Sequence, residues 1–178
     1  MTTETARKAA GKYGCQVKAG EPLTRVSTAR LGRPGTAKPL ARAQGSRVAL
    51  RDTSPAGSGT SGIMEYAADP DPAQTNCYLV TGAKKPGYGL YAYYGVAAKD
   101  FESTGFGGLD HASVVATTPC PRSSHEAVFA VYHLYDRDTD SYPVPHYSAS
   151  FARSALKAFA EHEAEHRGCG QVKIMDWP

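Results

Sequence analysis

No apolar run in this chain approaches the roughly 18 residues that a membrane-spanning helix needs, so no helical span is expected. The first ten residues, MTTETARKAA, lack the apolar centre of a secretory leader. That leaves an intracellular protein, or an exported one numbered after a leader has been removed, whose Met1 is then not native. Tryptophan occurs once, at Trp177, against eleven tyrosines and five phenylalanines. No pair among the four cysteines has C-x-x-C spacing, and no G-x-S-x-G elbow marks a nucleophile. Triads assembled from Ser113, Ser123 or Ser124 with His111 or His125 therefore have no supporting context. The glycine-rich FGGLD around Gly107 and Gly108 lacks the Lys-Ser/Thr of a phosphate loop and reads as a turn.

What is present suits one folded unit. A chain of 178 residues with 41% hydrophobic and 21% charged content can bury one core and is short for two. Charge is uneven. Residues 1–62 carry eleven Lys/Arg against three Asp/Glu, a net of +8. The remainder carries nine against fourteen, a net of −5, giving +3 for the whole. A basic front over an acidic body points to an anionic partner for the front, or to a solvated arm. Residues 1–62 read as a partly flexible, Gly/Pro-rich segment with strands at 23–29 and 48–50. An exposed basic loop spans 30–47, and a DTSPAGSGTSG linker spans 52–62. The folded body is expected over 63–178.

In that body, hydrophobic period and turn residues predict strands at 77–81, 88–97, 111–117 and 126–135, with turns at 69–72 and 84–87 and a polar loop at 136–140. The aromatic strand YGLYAYYGVA has residues for both faces and is expected at the sheet centre. Residues 148–169 carry the one long helical period, from a serine cap to Gly168, and 171–175 form a closing strand. The fold class is therefore α+β: a mostly antiparallel sheet, one long C-terminal amphipathic helix packed on one face, and a short final strand.

Stepping residues by 100° places Phe151, Ala152, Ala155, Ala158, Phe159, His162 and His166 on one side of that helix. His162 and His166 then stack one turn apart, a spacing that lets two imidazoles meet one zinc. Glu163 between them could polarise a bound water, as in H-E-x-x-H metalloproteases. Against this, Glu165 charges a position usually left uncharged. A third ligand must come from the last twelve residues, where only Asp176 and Cys169 are available. A packed histidine pair near a helix C-terminus is the expectation, with no cofactor; zinc, held by His162 and His166 with Glu163 as base, is the alternative.

The tyrosines carry the binding expectation. Alternation puts Tyr91 and Tyr93 on one strand face and Tyr94 on the other, so part of the set must reach a surface. Tyr135, Tyr147 and His146 join it as candidates. Clustered Tyr and His mark interfaces and carbohydrate or peptide platforms. Even number, wide spacing and loop flanks suit disulfides for Cys15, Cys77, Cys120 and Cys169. Three connectivities satisfy them, and 15–77 with 120–169 is favoured. The segments PCP, YHLYD and SFARSALKAFAEHEAEHRGCG resemble the close of small exported or lipid-anchored proteins of high-GC actinobacteria. The resemblance covers the last third of the chain and implies an extracellular or envelope location and a Cys120–Cys169 bridge.

The function these features imply is a non-catalytic, secreted binding or assembly module that docks to a protein partner or a cell-envelope polyanion. A small zinc hydrolase built on HEAEH is the alternative. Nucleic-acid binding through residues 7–51 ranks last because no motif supports it.

Overall fold

Tyr, Val, Ile and Thr dominate the segments that alternate with period two, and these become strands because branched and aromatic side chains fit a pleated, half-buried surface. The computed structural model describes residues 8, 11–12, 37–40, 59–65, 73–104, 114–121 and 123–175. Its strands are β1 (Lys38–Pro39), β2 (Gly62–Glu65), β3 (Gln74–Val80), β4 (Pro86–Tyr93), β5 (Val114–Thr118), β6 (Ala127–His133) and β7 (Lys173–Met175). Its helices are α1 (Val96–Thr104) and α2 (Ala149–Arg167). The strands pair in the order β1-β2-β3-β4-β6-β5-β7, antiparallel throughout. The α+β class and the central place of β4 are as the pattern predicts. No helix among the described residues is long and apolar enough to cross a membrane.

Alternation along the strands divides the sheet cleanly. Cys77 and Leu79 of β3, Tyr88, Leu90 and Ala92 of β4, and Phe129 and Val131 of β6 face α2. They form one core with Phe151, Ala152, Ala155, Leu156, Phe159 and Ala160. Phe129 and Phe159 meet edge to face at 6.3 Å, as do Tyr88 and Phe151 at 5.4 Å. Three of the six α2 positions in this core are alanine, whose small side chain lets a helix approach a sheet closely. A smaller cluster, Ala98, Val115, Val128 and Ala130, lies on the opposite face, where Phe101 of α1 packs.

Three segments depart from the sequence expectation. The strand read as 88–97 stops at Tyr93. Gly95 adopts φ +56°, and backbone bonds from Ala97 to Tyr94 and from Lys99 to Gly95 start α1 in what reads as strand and loop. Within the loop read as 30–47, Lys38 and Pro39 pair with Ile63 and Gly62. Proline is tolerated there because β1 is an edge strand. The body therefore takes a strand from the basic front segment. On α2 the buried stripe is Phe151, Ala152, Ala155, Leu156, Phe159, Ala160, Glu163 and Ala164. It repeats every four residues, and four steps of about 100° overshoot a full turn by about 40°. The stripe therefore rotates along the helix and has passed His162 and His166 by the last turns. His162 is half-buried and His166 exposed. The strands expected at 23–29 and 48–50, the turn at 69–72, the glycines of 105–109, His111 and Cys15 lie outside the described residues.

Both ends of α2 are fixed. Ser148 Oγ accepts from the Phe151 N–H at 3.3 Å, and the Ser148 N–H donates to the buried Tyr88 hydroxyl at 3.2 Å. Gly168, at φ +64°, closes the C-terminus, with the Cys169 N–H on Ala164 O at 2.8 Å. Cys169 is bridged to Cys120, and the Gly170 N–H reaches Pro119 O at 2.7 Å, which leads the chain into β7. The bridge closes a loop with a sequence separation of 49 residues. Constraining a loop of that length in the unfolded chain is worth about 3–4 kcal/mol. Cys120→Ala/Cys169→Ala, or reduction, should lower the denaturation free energy by that amount and the Tm by on the order of 10 °C, read by calorimetry with and without reductant.

Candidate functional site

The segment HEAEH folds as helix, and its acid and its histidines part company there. Glu163 turns into the core at 5% exposure, where its Oε2 accepts from the Tyr94 hydroxyl at 3.0 Å. The guanidinium carbon of Arg167, one turn on, stands 3.6 Å from the centre of the Tyr94 ring. Among the described residues no three or more of His, Cys, Asp and Glu converge as a metal cluster. Glu163 thus faces Tyr94 and not a water held between His162 and His166. Tyr94, expected among the surface tyrosines, is itself buried at 8%. Its pKa is driven well above that of an ordinary phenol, first by burial and then by the negative charge of Glu163, with Arg167 opposing. The buried Tyr94 and Glu163 and the half-buried Arg167 form a polar clasp between the end of β4 and the last turns of α2.

Cys77 lies in the core on β3 at 0% exposure; its expected bridge to Cys15 lies outside the described residues. Ser123, one of the triad candidates, spends its hydroxyl locally: its Oγ donates to His125 O at 2.7 Å and accepts from the His125 N–H at 3.2 Å.

The remaining tyrosines separate into two groups. The first lies on the sheet face away from α2. Cross-strand register sets Met64, Tyr78, Gly89 and Tyr132 in one row, Asn76, Tyr91, Ala130, Val115 and Met175 in the next, and Gln74, Tyr93, Val128, Thr117 and Lys173 in the third. Tyr91 can lie down because Gly89 has no side chain: a Cβ there would come within 2.7 Å of the Tyr91 ring. The rings interlock. Tyr91 meets Tyr132 edge-on at 5.2 Å and lies nearly parallel to Tyr93 at 6.3 Å, and Tyr93 stacks on Phe101 at 4.8 Å. The hydroxyls of Tyr78 and Tyr91 are 3.1 Å apart, and those of Tyr132 and Tyr93 share a hydrogen bond. All four tyrosines are half-buried, so each shows part of a ring or a hydroxyl to solvent. Burial raises the pKa of both Tyr93 and Tyr132, and the hydrogen bond to Tyr93 pushes Tyr132 further up. Sequence alternation finds Tyr91 and Tyr93. Tyr78 and Tyr132 join them only through register, which no local pattern encodes.

The second group sits in the connection between β6 and α2. His133 stacks on Tyr142 at 4.4 Å, and its Nε2 lies 2.7 Å from Val144 O. Tyr135 packs edge-on against Tyr142 and donates to Asp140. Tyr147 leans on Tyr88 and His133, and His146 is exposed. Val144 plugs this connection into the body, filling the space that side chains at Gly59 and Gly87 would need. Lys85 in the β3–β4 turn bonds Asp136 at 2.6 Å and holds that carboxyl down to a pKa of about 2. These contacts set Tyr135, Tyr147 and His146 on a braced loop, at a different place from Tyr91 and Tyr93.

Two outcomes follow from the buried phenols. Tyr94→Phe strips the buried Glu163 of a donor and should cost about 1–3 kcal/mol in urea denaturation, whereas Glu163→Gln, which keeps an acceptor, should cost less than Glu163→Ala. Tyr94 and Tyr132 have folded-state pKa values raised above the ordinary 10.0. Their contribution is therefore complete below pH 10 and declines as pH rises above it, when the unfolded chain ionises and the fold does not. Denaturation midpoints measured across that pH should fall, and less steeply in Tyr132→Phe.

Scans and searches against protein-family models, curated proteins and solved structures return no match to this chain, so the site rests on its own geometry.

Proposed function

We propose that this protein is an exported, non-catalytic binding module whose recognition surface is the tyrosine face of β3, β4 and β6. The observation that carries the reading is the half-buried strip of Tyr78, Tyr91, Tyr93 and Tyr132, with its hydroxyls paired and its rings braced on Gly89 and Phe101. A phenol ring offers a flat apolar face and a polar tip at little conformational cost, which is what a binding platform needs. The ligand chemistry that fits is a chain of sugar rings from the cell envelope, stacking on the ring faces and bonding to the hydroxyls. The Cys120–Cys169 bridge is compatible with an oxidising compartment, and the likeness of the C-terminal third to exported actinobacterial proteins belongs to the same reading. The burial of Glu163 beneath Tyr94, away from the two histidines, supports binding over hydrolysis.

Titration with soluble fragments of envelope polysaccharide, followed by NMR of the aromatic protons, tests this. Shifts should concentrate on Tyr78, Tyr91 and Tyr132, and Tyr78→Ala should weaken binding on the order of tenfold. Absence of shifts, or shifts confined to the loop of Tyr135 and His146, would overturn the assignment of this face.

A further inference from the structure

A second surface lies on the other side of the sheet, against α2. β7 is the last strand in the order, so one of its long edges has no partner strand among the described residues. Side chains alternate here: Val172, just before the strand, and Ile174 within it point toward α2 and are half-buried, whereas Lys173 is exposed on the opposite face. Above them, the solvent side of α2 presents Arg153, Ser154 and Lys157, all exposed and spaced i, i+1, i+4. Together Arg153, Ser154, Lys157, Val172 and Ile174 line an open groove of about 420 Å³. The Cys120–Cys169 bridge and the Gly170 N–H bond to Pro119 O hold β7 in place beside the helix.

Cationic wall, aliphatic floor and strand edge call for three different things, and one kind of ligand supplies all of them. An extended backbone can add to the edge through main-chain hydrogen bonds. Successive side chains of that strand alternate faces, so every second one enters the groove. A glutamate there lays its methylenes on Val172 and Ile174 and carries its carboxylate to Arg153 and Lys157. Edge strands are ordinarily guarded against such additions by charge. Here Lys173 guards the far face, and the two charged residues that line the groove, Arg153 and Lys157, are both cations, which an acidic strand satisfies and a basic one does not. Lys157 is already near Glu161, at 3.9 Å, with both side chains more than half exposed. That weak surface pair yields readily to a closer carboxylate.

We infer that β7 and α2 together accept an extended acidic segment of a partner protein, added as a further antiparallel or parallel strand on the open edge. The surface is independent of the tyrosine face, which lies across the sheet, so either assignment can fail while the other stands.

The probe is a fluorescein-labelled octapeptide alternating glutamate and threonine, followed by anisotropy and by amide NMR of the intact chain. The peptide should bind, move the amides of residues 172–175, and weaken with added salt. Arg153→Glu/Lys157→Glu, both on exposed helix positions, should reduce affinity at least tenfold while leaving the circular dichroism at room temperature unchanged, with only a small fall in Tm from the like charge that Lys157→Glu sets one turn from Glu161. The same peptide with lysine for glutamate should not bind. A peptide N-methylated at alternate residues should lose binding, because it cannot pair with the edge. Equal binding of the N-methylated peptide, insensitivity to the double charge reversal, or a preference for polyphosphate that is abolished by that same reversal would each overturn the proposal.

Discussion

The burial of Phe151, Leu156 and Phe159 against β4 and β6 fixes where α2 lies, and the remaining features take their places from it. A helix on a sheet needs more than an apolar stripe, because a stripe alone permits sliding along the axis. Sliding is stopped here at both ends. Tyr88, fully buried, turns its hydroxyl to the N–H of Ser148, so one core residue both fills space and positions the helix cap. At the far end Gly168 turns the chain and Cys169 is bonded to the β5–β6 connection. The polar clasp of Tyr94, Glu163 and Arg167 adds a directional contact one turn before that end.

One long helix covers only one face of a seven-stranded sheet. On the opposite face α1 packs beside Val115, Val128 and Ala130, and among the described residues Tyr78, Tyr91, Tyr93 and Tyr132 lie on that same face. This solution differs from an aliphatic face in a way that bears on function. An exposed strip of valine and leucine would be an aggregation hazard. Tyrosine can be half-wet because its hydroxyl is satisfied by water, by a ligand or by a neighbouring phenol. The pairing of Tyr78 with Tyr91, and of Tyr132 with Tyr93, orders the rings without sealing them from solvent.

Elements whose signal is local and repeated were legible in the sequence. The helix at 148–169, with its serine cap and αL glycine, differs from the folded helix by a residue or two at each end. The alternation of AVFAVYH gives β6, and the widely spaced Cys120 and Cys169 do pair. Illegible features depended on partners distant in sequence. Tyr94-Gly95-Val96 reads as strand because its side chains favour strands, yet the positive φ of Gly95 decides it. Pro39 reads as loop until an edge strand is there to receive it. Tyr78 and Tyr132 become neighbours of Tyr91 only through the register of three strands.

The HEAEH segment shows why a spacing argument needs the sheet as well as the helix. Two histidines four apart are always near one another, so their proximity says little. What distinguishes a metal site from a packing site is the direction of the residue between them. Glu163 belongs to a stripe of period four that rotates as it runs, and near the C-terminus this stripe reaches Glu163 and Ala164 and leaves the histidines behind. A carboxylate so placed would be expelled from the core unless a donor and a cation met it. Tyr94 donates to it from the end of β4, and the guanidinium of Arg167, from the next turn of the same helix, stands over the Tyr94 ring. The acid that resembles a catalytic base is thereby accounted for by packing.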